Sequence, residues 1–311
     1  MSEKKKLLGL NFGRANGNCK KFLNKAIEAA RAENPEVEIE VIDCMKLKIT
    51  HCIGCGACSR MLQSGKGQIS CIQKDDFEAL SDAVLAADAI IVAAPVYVLE
   101  ATGQLKNFID RFGPAHDKAY MLFENELRKD TGGVELNPNC LKRHLVSYIS
   151  VGGATTPHWV SYGLSGINLF GMSLNMKVVD QLDAFGAYVP SNAERLMNEC
   201  ERMGKRMVEA MDLKTSEITW ESEEGTCPVC HCKEITIYDG STKVCCPLCG
   251  IFGELTIEDG KIKVDFPKEE QDRSRLKFTG VLEHQVEQGR KDRYPRFDDY
   301  VAKFRAMQDE M

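Results

Sequence analysis

The chain has 311 residues, is 43% hydrophobic and carries a formal net charge of −6, which is enough apolar material for a full domain core with a smaller module beside it. So mild an acidic balance argues against a phosphate backbone or an anionic membrane surface as partner. The start, MSEKKKLLGLNFG, has no leader-like apolar stretch, and no run approaches the roughly 20 apolar residues of a bilayer span; the expectation is a cytoplasmic protein that binds neither nucleic acid nor membrane.

The first two hundred residues alternate strand and helix patterns. Leu7 to Asn11 is a short apolar run leading into the polar loop NFGRANGNC, after which Phe22, Leu23, Ala26, Ile27 and Ala30 recur at helical spacing. Val37 to Ile42 alternates as a strand, Asp75-Asp76 caps a helix carrying Phe77, Leu80, Val84 and Leu85, and AIIVAAP reads as a buried strand. A helix near Gly103 to Phe112, a strand at Leu145 to Val151, a helix near Trp159 to Leu169, a strand at Lys177 to Leu182 and a long helix from about Ala193 to Met211 follow. The stretch from Gly113 to Arg143 shows no clear periodicity and reads as an insertion. Five strands with intervening helices predict an α/β, doubly wound, five-stranded parallel sheet covered on both faces.

Ligands of such sheets sit beyond the carboxyl ends of the strands. The first of those loops joins a glycine-rich turn to a helix start, an anion site in which Arg14 adds a charged fork; an ordinary strand-to-helix turn is the alternative. At the end of the third strand stand Pro95-Val96-Tyr97-Val98 and then Thr102-Gly103-Gln104-Leu105-Lys106-Asn107-Phe108-Ile109-Asp110-Arg111. This P-x-Y loop followed by a helix ending F-x-D-R resembles the NADPH-dependent FMN reductase and iron–sulfur flavoprotein branch of the flavodoxin-like superfamily. Gly152-Gly153 stands where that family has its third flavin-facing loop. The resemblance covers about residues 7 to 212 and implies a flavodoxin-like FMN-binding domain. Cofactor contacts would come from Gly13, Arg14, Asn16, Asn18 and Cys19 in the phosphate loop, from Pro95, Val96, Tyr97 and Val98, and from Gly152 and Gly153. In the phosphate loop the family pattern G-S-P-R-x-x-x-N-T is met by Arg14 and Asn18, while Gly13 and Cys19 stand near the positions of its two hydroxyls.

Fourteen cysteines in a chain of this kind point to metal more than to disulfides. Ten fall into two groups, residues 52 to 71 and 227 to 249, leaving Cys19, Cys44, Cys140 and Cys200 scattered. Cys52, Cys55 and Cys58 lie at intervals that wrap thiolates round one centre, with Cys71 as the fourth ligand across a flexible stretch containing Gly65, Lys66 and Gly67. The iron–sulfur flavoproteins carry a similar compact motif, which implies a [4Fe–4S] cluster here; zinc or free thiols are the alternatives. Cys227-Pro228-Val229-Cys230 and Cys246-Pro247-Leu248-Cys249, joined by a short hairpin, fit a tetrahedral four-thiolate site for zinc, with rubredoxin-like iron as the competitor. His231, Cys232 and Cys245 adjoin these ligands.

The expected organisation is a flavodoxin-like domain over 1–214, a four-cysteine β ribbon over 215–266 and a tail over 267–311. In the tail Phe297, Tyr300, Val301, Phe304 and Met307 mark a helix docked on its own protein or on a second subunit. The tail has ten basic and ten acidic residues, so the ribbon lacks the positive stripe of a nucleic-acid module. The combined expectation is an FMN-dependent oxidoreductase taking electrons from NAD(P)H or a ferredoxin-type donor to a small, quinone-like or otherwise unsaturated acceptor. A non-enzymatic electron carrier and a redox-responsive regulator are the alternatives, and the resemblance implies a homo-oligomer.

Overall fold

The computed structural model describes residues 4–307. Its contacts divide the chain after Glu221 into two compact units. In the first, β1 (Lys6–Asn11), β2 (Glu38–Asp43), β3 (Ala89–Tyr97), β5 (Leu145–Val151) and β6 (Lys177–Ala184) form a sheet of order β2-β1-β3-β5-β6. All four pairings along this path are parallel, and β4 (Glu100–Ala101) adds antiparallel to the end of β3. The flavodoxin-like sheet is therefore present, with one short antiparallel addition.

Alternation along the strands sorts the core into two faces. Leu8, Leu10, Ile90, Val92, Val146 and Tyr148 face one way. They meet α3 (Phe77–Ala86), α4 (Gly103–Phe112), α5 (Lys118–Thr131) and α6 (Gly163–Met172) through Phe77, Phe108, Met121 and Phe170. Leu7, Ile91, Ala93, Ile149 and Leu182 face α1 (Asn18–Glu33) and α7 (Pro190–Ala210) on the other side. Phe108 stacks with Phe112 at 5.0 Å and with Phe170 at 5.6 Å between ring centroids.

Several boundaries depart from the pattern reading. The helix expected near Trp159 begins at Gly163, because Pro157-His158-Trp159 forms a separate 3₁₀ turn. The long helix starts at Pro190, with proline in its first turn where the missing N–H costs nothing. The stretch read as flexible after Cys58 is helical as far as Ser64, since Cys58 lies in the first turn of α2 (Ala57–Ser64), which is stopped by Gly65 at φ 65°. The insertion contains α5, whose buried Lys118, Glu124, Asn125 and Arg128 leave no apolar stripe to read. Lys118 donates to the carbonyls of Leu141 and Lys142 at 2.6 Å each, and the terminal nitrogens of Arg128 donate to those of Leu62, Gly67 and Val134, so most of these polar atoms find backbone partners where periodicity expects apolar groups.

The second unit holds an antiparallel sheet of order β10-β9-β8-β7. Its strands are β7 (Thr236–Ile237), β8 (Lys243–Cys245), β9 (Phe252–Glu258) and β10 (Lys261–Asp265), followed by α8 (Lys268–Asp272), α9 (Phe278–Glu287) and α10 (Phe297–Ala306). Phe297, Tyr300 and Phe304 of α10 are buried, and Phe304 meets Phe278 of α9 edge to face at 5.9 Å. The terminal helix thus packs within its own unit, while Met307 is exposed. No helix among the described residues is long and apolar enough to cross a membrane.

Candidate functional site

The chain crosses from β1 to its outer neighbour β2 and then returns to the other side of β1 as β3, so the carboxyl ends of β1 and β3 flank the reversal of strand order. A cavity of about 260 Å³ opens there. It is lined by Gly13, Arg14, Gly17, Asn18 and Cys19 after β1, by Pro95, Val96 and Tyr97 at the end of β3, by Val151, Gly152 and Gly153 at the end of β5, and by Tyr188 after β6.

Local chemistry shapes the first loop. The buried Asn11 side chain accepts from the Gly13 N–H at 3.0 Å and donates to the Gly13 carbonyl at 3.1 Å, and it donates to Asp43 as well. Lys20 binds the same Asp43 carboxylate at 2.7 Å and, with Asn11, holds it below the usual carboxylate range. Gly13 is required by space, since a Cβ there would lie 2.7 Å from that of Cys19. Gly17 caps α1 without a side-chain hydrogen bond, so the first-turn N–H groups remain as anion donors beside Arg14. Burial pushes the Cys19 thiol up to about 12, making it a neutral space-filler and not a thiolate. The Asn18 amide donates to Ala187 at 3.0 Å, which pins this loop to the one after β6.

The other loops supply flat surfaces. A Cβ on Gly152 would lie 2.2 Å from Val160, and one on Gly153 would lie 2.8 Å from the Tyr188 ring. Tyr97 and Tyr188 keep exposed faces at the cavity edge. Tyr97 pairs with Glu100 across a two-residue hairpin whose Val98 and Leu99 both adopt positive φ, 51° and 72°; for side chains other than glycine each such conformation costs about 1–3 kcal/mol. An anion-binding helix start, a polar loop and exposed aromatic rings together suit a phosphate attached to a flat ring system.

Nine of the residues singled out by sequence are brought together here. Asn16 and Val98 are not among the cavity-lining residues; Asn16 is exposed on the far part of its loop and Val98 projects from the hairpin tip. Gly17, Val151 and Tyr188 were missed. Tyr188 carries a usable signal, an aromatic residue four positions beyond the end of a parallel strand.

None of the fourteen cysteines is in a disulfide. Among the described residues one set draws together as a metal centre: the buried sulfurs of Cys227, Cys230, Cys246 and Cys249 lie within 4.8 Å of one another. Cys227 and Cys249 are 3.7 Å apart and Cys230 and Cys246 3.5 Å, close to the roughly 3.8 Å edge of a tetrahedron with Zn–S bonds of about 2.3 Å. The two knuckles repeat one geometry. His231 N–H donates to Cys227 and Gly250 N–H to Cys246, at positive φ of 56° and 73°, and the N–H of Cys227 and of Cys246 reach the carbonyls of Cys232 and Ile251 at 3.0 Å. Cys232 and Cys245 stay outside the quartet.

Cys52, Cys55, Cys58 and Cys71 are not drawn to that spacing. Cys52 and Cys55 are exposed, and Cys58 and Cys71 half-buried. Gly54 and Gly56, at φ 64° and 66°, turn the backbone round the first three. Arg111 donates to the Cys71 sulfur at 3.3 Å, and the N–H of Gly54 approaches that of Cys52 at 3.4 Å.

The chain matches the NADPH-dependent FMN reductase family over residues 6–167. It is 27% identical to a flavone synthase of Aspergillus candidus across 91% of this chain and 89% of that protein. An iron–sulfur flavoprotein of Archaeoglobus fulgidus is 41% identical over 105 residues, 34% of this chain and 44% of the relative. A solved flavone reductase superposes with a TM-score of 0.75 at 25% identity, covering 97% of each chain. With its flavodoxin-like sheet, its cavity at the strand-order reversal and a family match spanning half its length, the chain belongs to the NADPH-dependent FMN reductase family and is an FMN-dependent oxidoreductase.

Proposed function

We propose that the protein reduces a planar, unsaturated carbonyl compound of the flavone or quinone type, drawing electrons from NAD(P)H or a ferredoxin-type donor. The observation that carries this reading is the cavity at the β1/β3 reversal edged by the exposed rings of Tyr97 and Tyr188. Likeness over nearly the whole chain to a flavone reductase and a flavone synthase supports the acceptor class. FMN, when bound, supplies hydride exchange between a nicotinamide and the acceptor. The start of α1 and Arg14 would hold its phosphate, Asn11 would keep the loop in shape, and Tyr97 and Tyr188 would flank the flat rings. In sum, NAD(P)H, a proton and the acceptor yield NAD(P)⁺ and the acceptor reduced by two electrons.

Cys52, Cys55, Cys58 and Cys71 would hold a [4Fe–4S] cluster, the route by which a one-electron donor protein enters; the exposure of Cys52 and Cys55 favours such surface exchange. The ribbon quartet would hold zinc, with iron as the alternative, and would serve folding. The protein would act as a homo-oligomer.

The test is anaerobic purification with flavin, iron, sulfide and zinc analysis, followed by NAD(P)H oxidation with flavone or menadione as acceptor. Stoichiometric FMN with saturable acceptor-dependent turnover supports the reading. Bound FMN that neither nicotinamide reduces, with fast reduction by ferredoxin alone and no product from either acceptor, replaces it by an electron carrier. Zinc without acid-labile sulfide removes the cluster and leaves the flavin.

A further inference from the structure

The β3–β4 hairpin places Val98 and Leu99 at the two central positions of a two-residue turn, both at positive φ. Turns of this hand favour Asn-Gly or Gly-Gly, and a β-branched residue is among the least suited to that backbone. The side chain kept there is not part of the core, for Val98 is 96% exposed. Folding therefore gains little from valine at this position and carries the strain of having it. Strain of this kind, once observed, points toward function.

The turn is held firmly. The Leu99 carbonyl accepts from Tyr162 at 3.1 Å, and the Thr102 N–H reaches the Pro95 carbonyl at 3.2 Å. Glu100 forms a backbone bridge with Tyr162, and its side chain lies over Gly166, where a Cβ would come within 3.0 Å. On the cavity side the hairpin begins with Val96 and Tyr97, which line the site. On the other side stands Tyr162, 54% exposed, as is Tyr97. Two half-exposed aromatic rings thus flank an apolar tip that continues outward from Val96 and Tyr97, the hairpin residues that line the cavity.

We propose that the Val98–Leu99 tip, with Tyr97 and Tyr162, is a specificity element: a fixed apolar wall beside the cavity that grips the flat face of an aromatic acceptor. The inference rests on the flavone- or quinone-type acceptor proposed above. A preformed wall costs no loop ordering on binding, so the strain in the free protein is exchanged for tighter capture of a planar ligand.

The experiment compares holoprotein with the double variant Val98→Asn/Leu99→Gly, which gives the turn its preferred residues, and with Val98→Ala, which keeps the backbone and trims the wall. FMN content, thermal midpoint, flavone affinity from the visible flavin difference spectrum of the oxidised protein, and kcat and KM for flavone and for ferricyanide are measured. The double variant is expected to melt at a higher temperature with FMN retained. In both variants the flavone Kd is expected to rise about tenfold, the scale of a methyl or two lost from an apolar contact, with KM rising more than kcat falls and the flavone-to-ferricyanide ratio of kcat/KM dropping by a similar factor. If the double variant loses FMN, the Val98→Ala result decides. Unchanged flavone Kd and KM in the FMN-replete variants overturns the inference, because the strain then serves no acceptor. A wild-type protein that neither binds nor reduces flavone or menadione overturns the acceptor reading and the inference together, an outcome recognisable before any variant is made.

Discussion

Arg111 shows how much one side chain ties together. Its guanidinium is 2.6 Å from Asp75 in a pair whose side chains are 1% and 4% exposed, lies 4.2 Å from the centre of the Phe77 ring, and donates to Cys71. Burial alone would push the Asp75 carboxyl up; hydrogen bonds from Arg111 and Thr50 outweigh it and hold the group well below the usual carboxylate range. A depressed carboxyl stabilises the fold at pH above its unfolded value of about 3.9 and loses that contribution as pH falls toward the folded value. Arg111→Gln is expected to cost about 3–5 kcal/mol at neutral pH, because it leaves a buried carboxylate without its partner. The acid-range loss of stability expected of the wild type should flatten in the variant. Urea titrations at a series of pH values read both effects, and a neutral-pH cost under about 1 kcal/mol, the scale of an exposed pair, would show that the pair is not structurally buried. The D-R end of the sequence motif was legible, but that its arginine faces Cys71 was not, since the two are forty residues apart.

At the scale of elements, α1 and α7 cross closely enough that a Cβ on Gly204 would lie 2.0 Å from the Ala26 carbonyl oxygen. The obstacle is backbone, which cannot rotate away as a flexible side chain can. Gly204→Ala is expected to cost about 1–3 kcal/mol by forcing the helices apart. Because α1 begins at the cavity, weaker FMN retention should accompany the lower thermal midpoint. A variant with unaltered melting would mean that the helices separate at no cost. Strands and amphipathic helices were readable because one face of each meets the core, which imposes a period of 2 or 3.6 on the sequence. The α5 helix was hidden by its buried polar residues, among them Lys118 and Arg128, which donate to backbone carbonyls. The Asp75-Asp76 cap was legible only as a pair: Asp75 accepts from Phe77 at 3.2 Å, whereas Asp76 turns back to the Lys48 N–H at 2.7 Å.

On the scale of the whole molecule, each unit carries its own chemistry, a flavin cavity in one and a four-thiolate centre in the other. The short strands of the ribbon enclose little apolar volume, so the ion would supply much of their folding free energy. Cys249→Ser is expected to lose the ribbon's metal and its unfolding transition while FMN stays bound, read by metal release and by flavin fluorescence during melting. Simultaneous loss of flavin and metal would show that the two units unfold as one.

What the sequence determined by itself were features of short range or regular period: the order of strands and helices, the glycine-rich turn before a helix, the P-x-Y and Gly-Gly loops, and two knuckles at metal-ligand spacing. These are legible because neighbouring residues and a repeating exposure to core or solvent decide them. The tertiary structure alone decided which distant groups meet. It brought Tyr188 to the cavity, set Arg111 against Cys71, gathered four ribbon sulfurs to tetrahedral spacing and left the 52–71 cysteines more open, and it put strain into the Val98–Leu99 turn. Those outcomes depend on strand order and on packing between segments far apart in the chain, for which no local period exists.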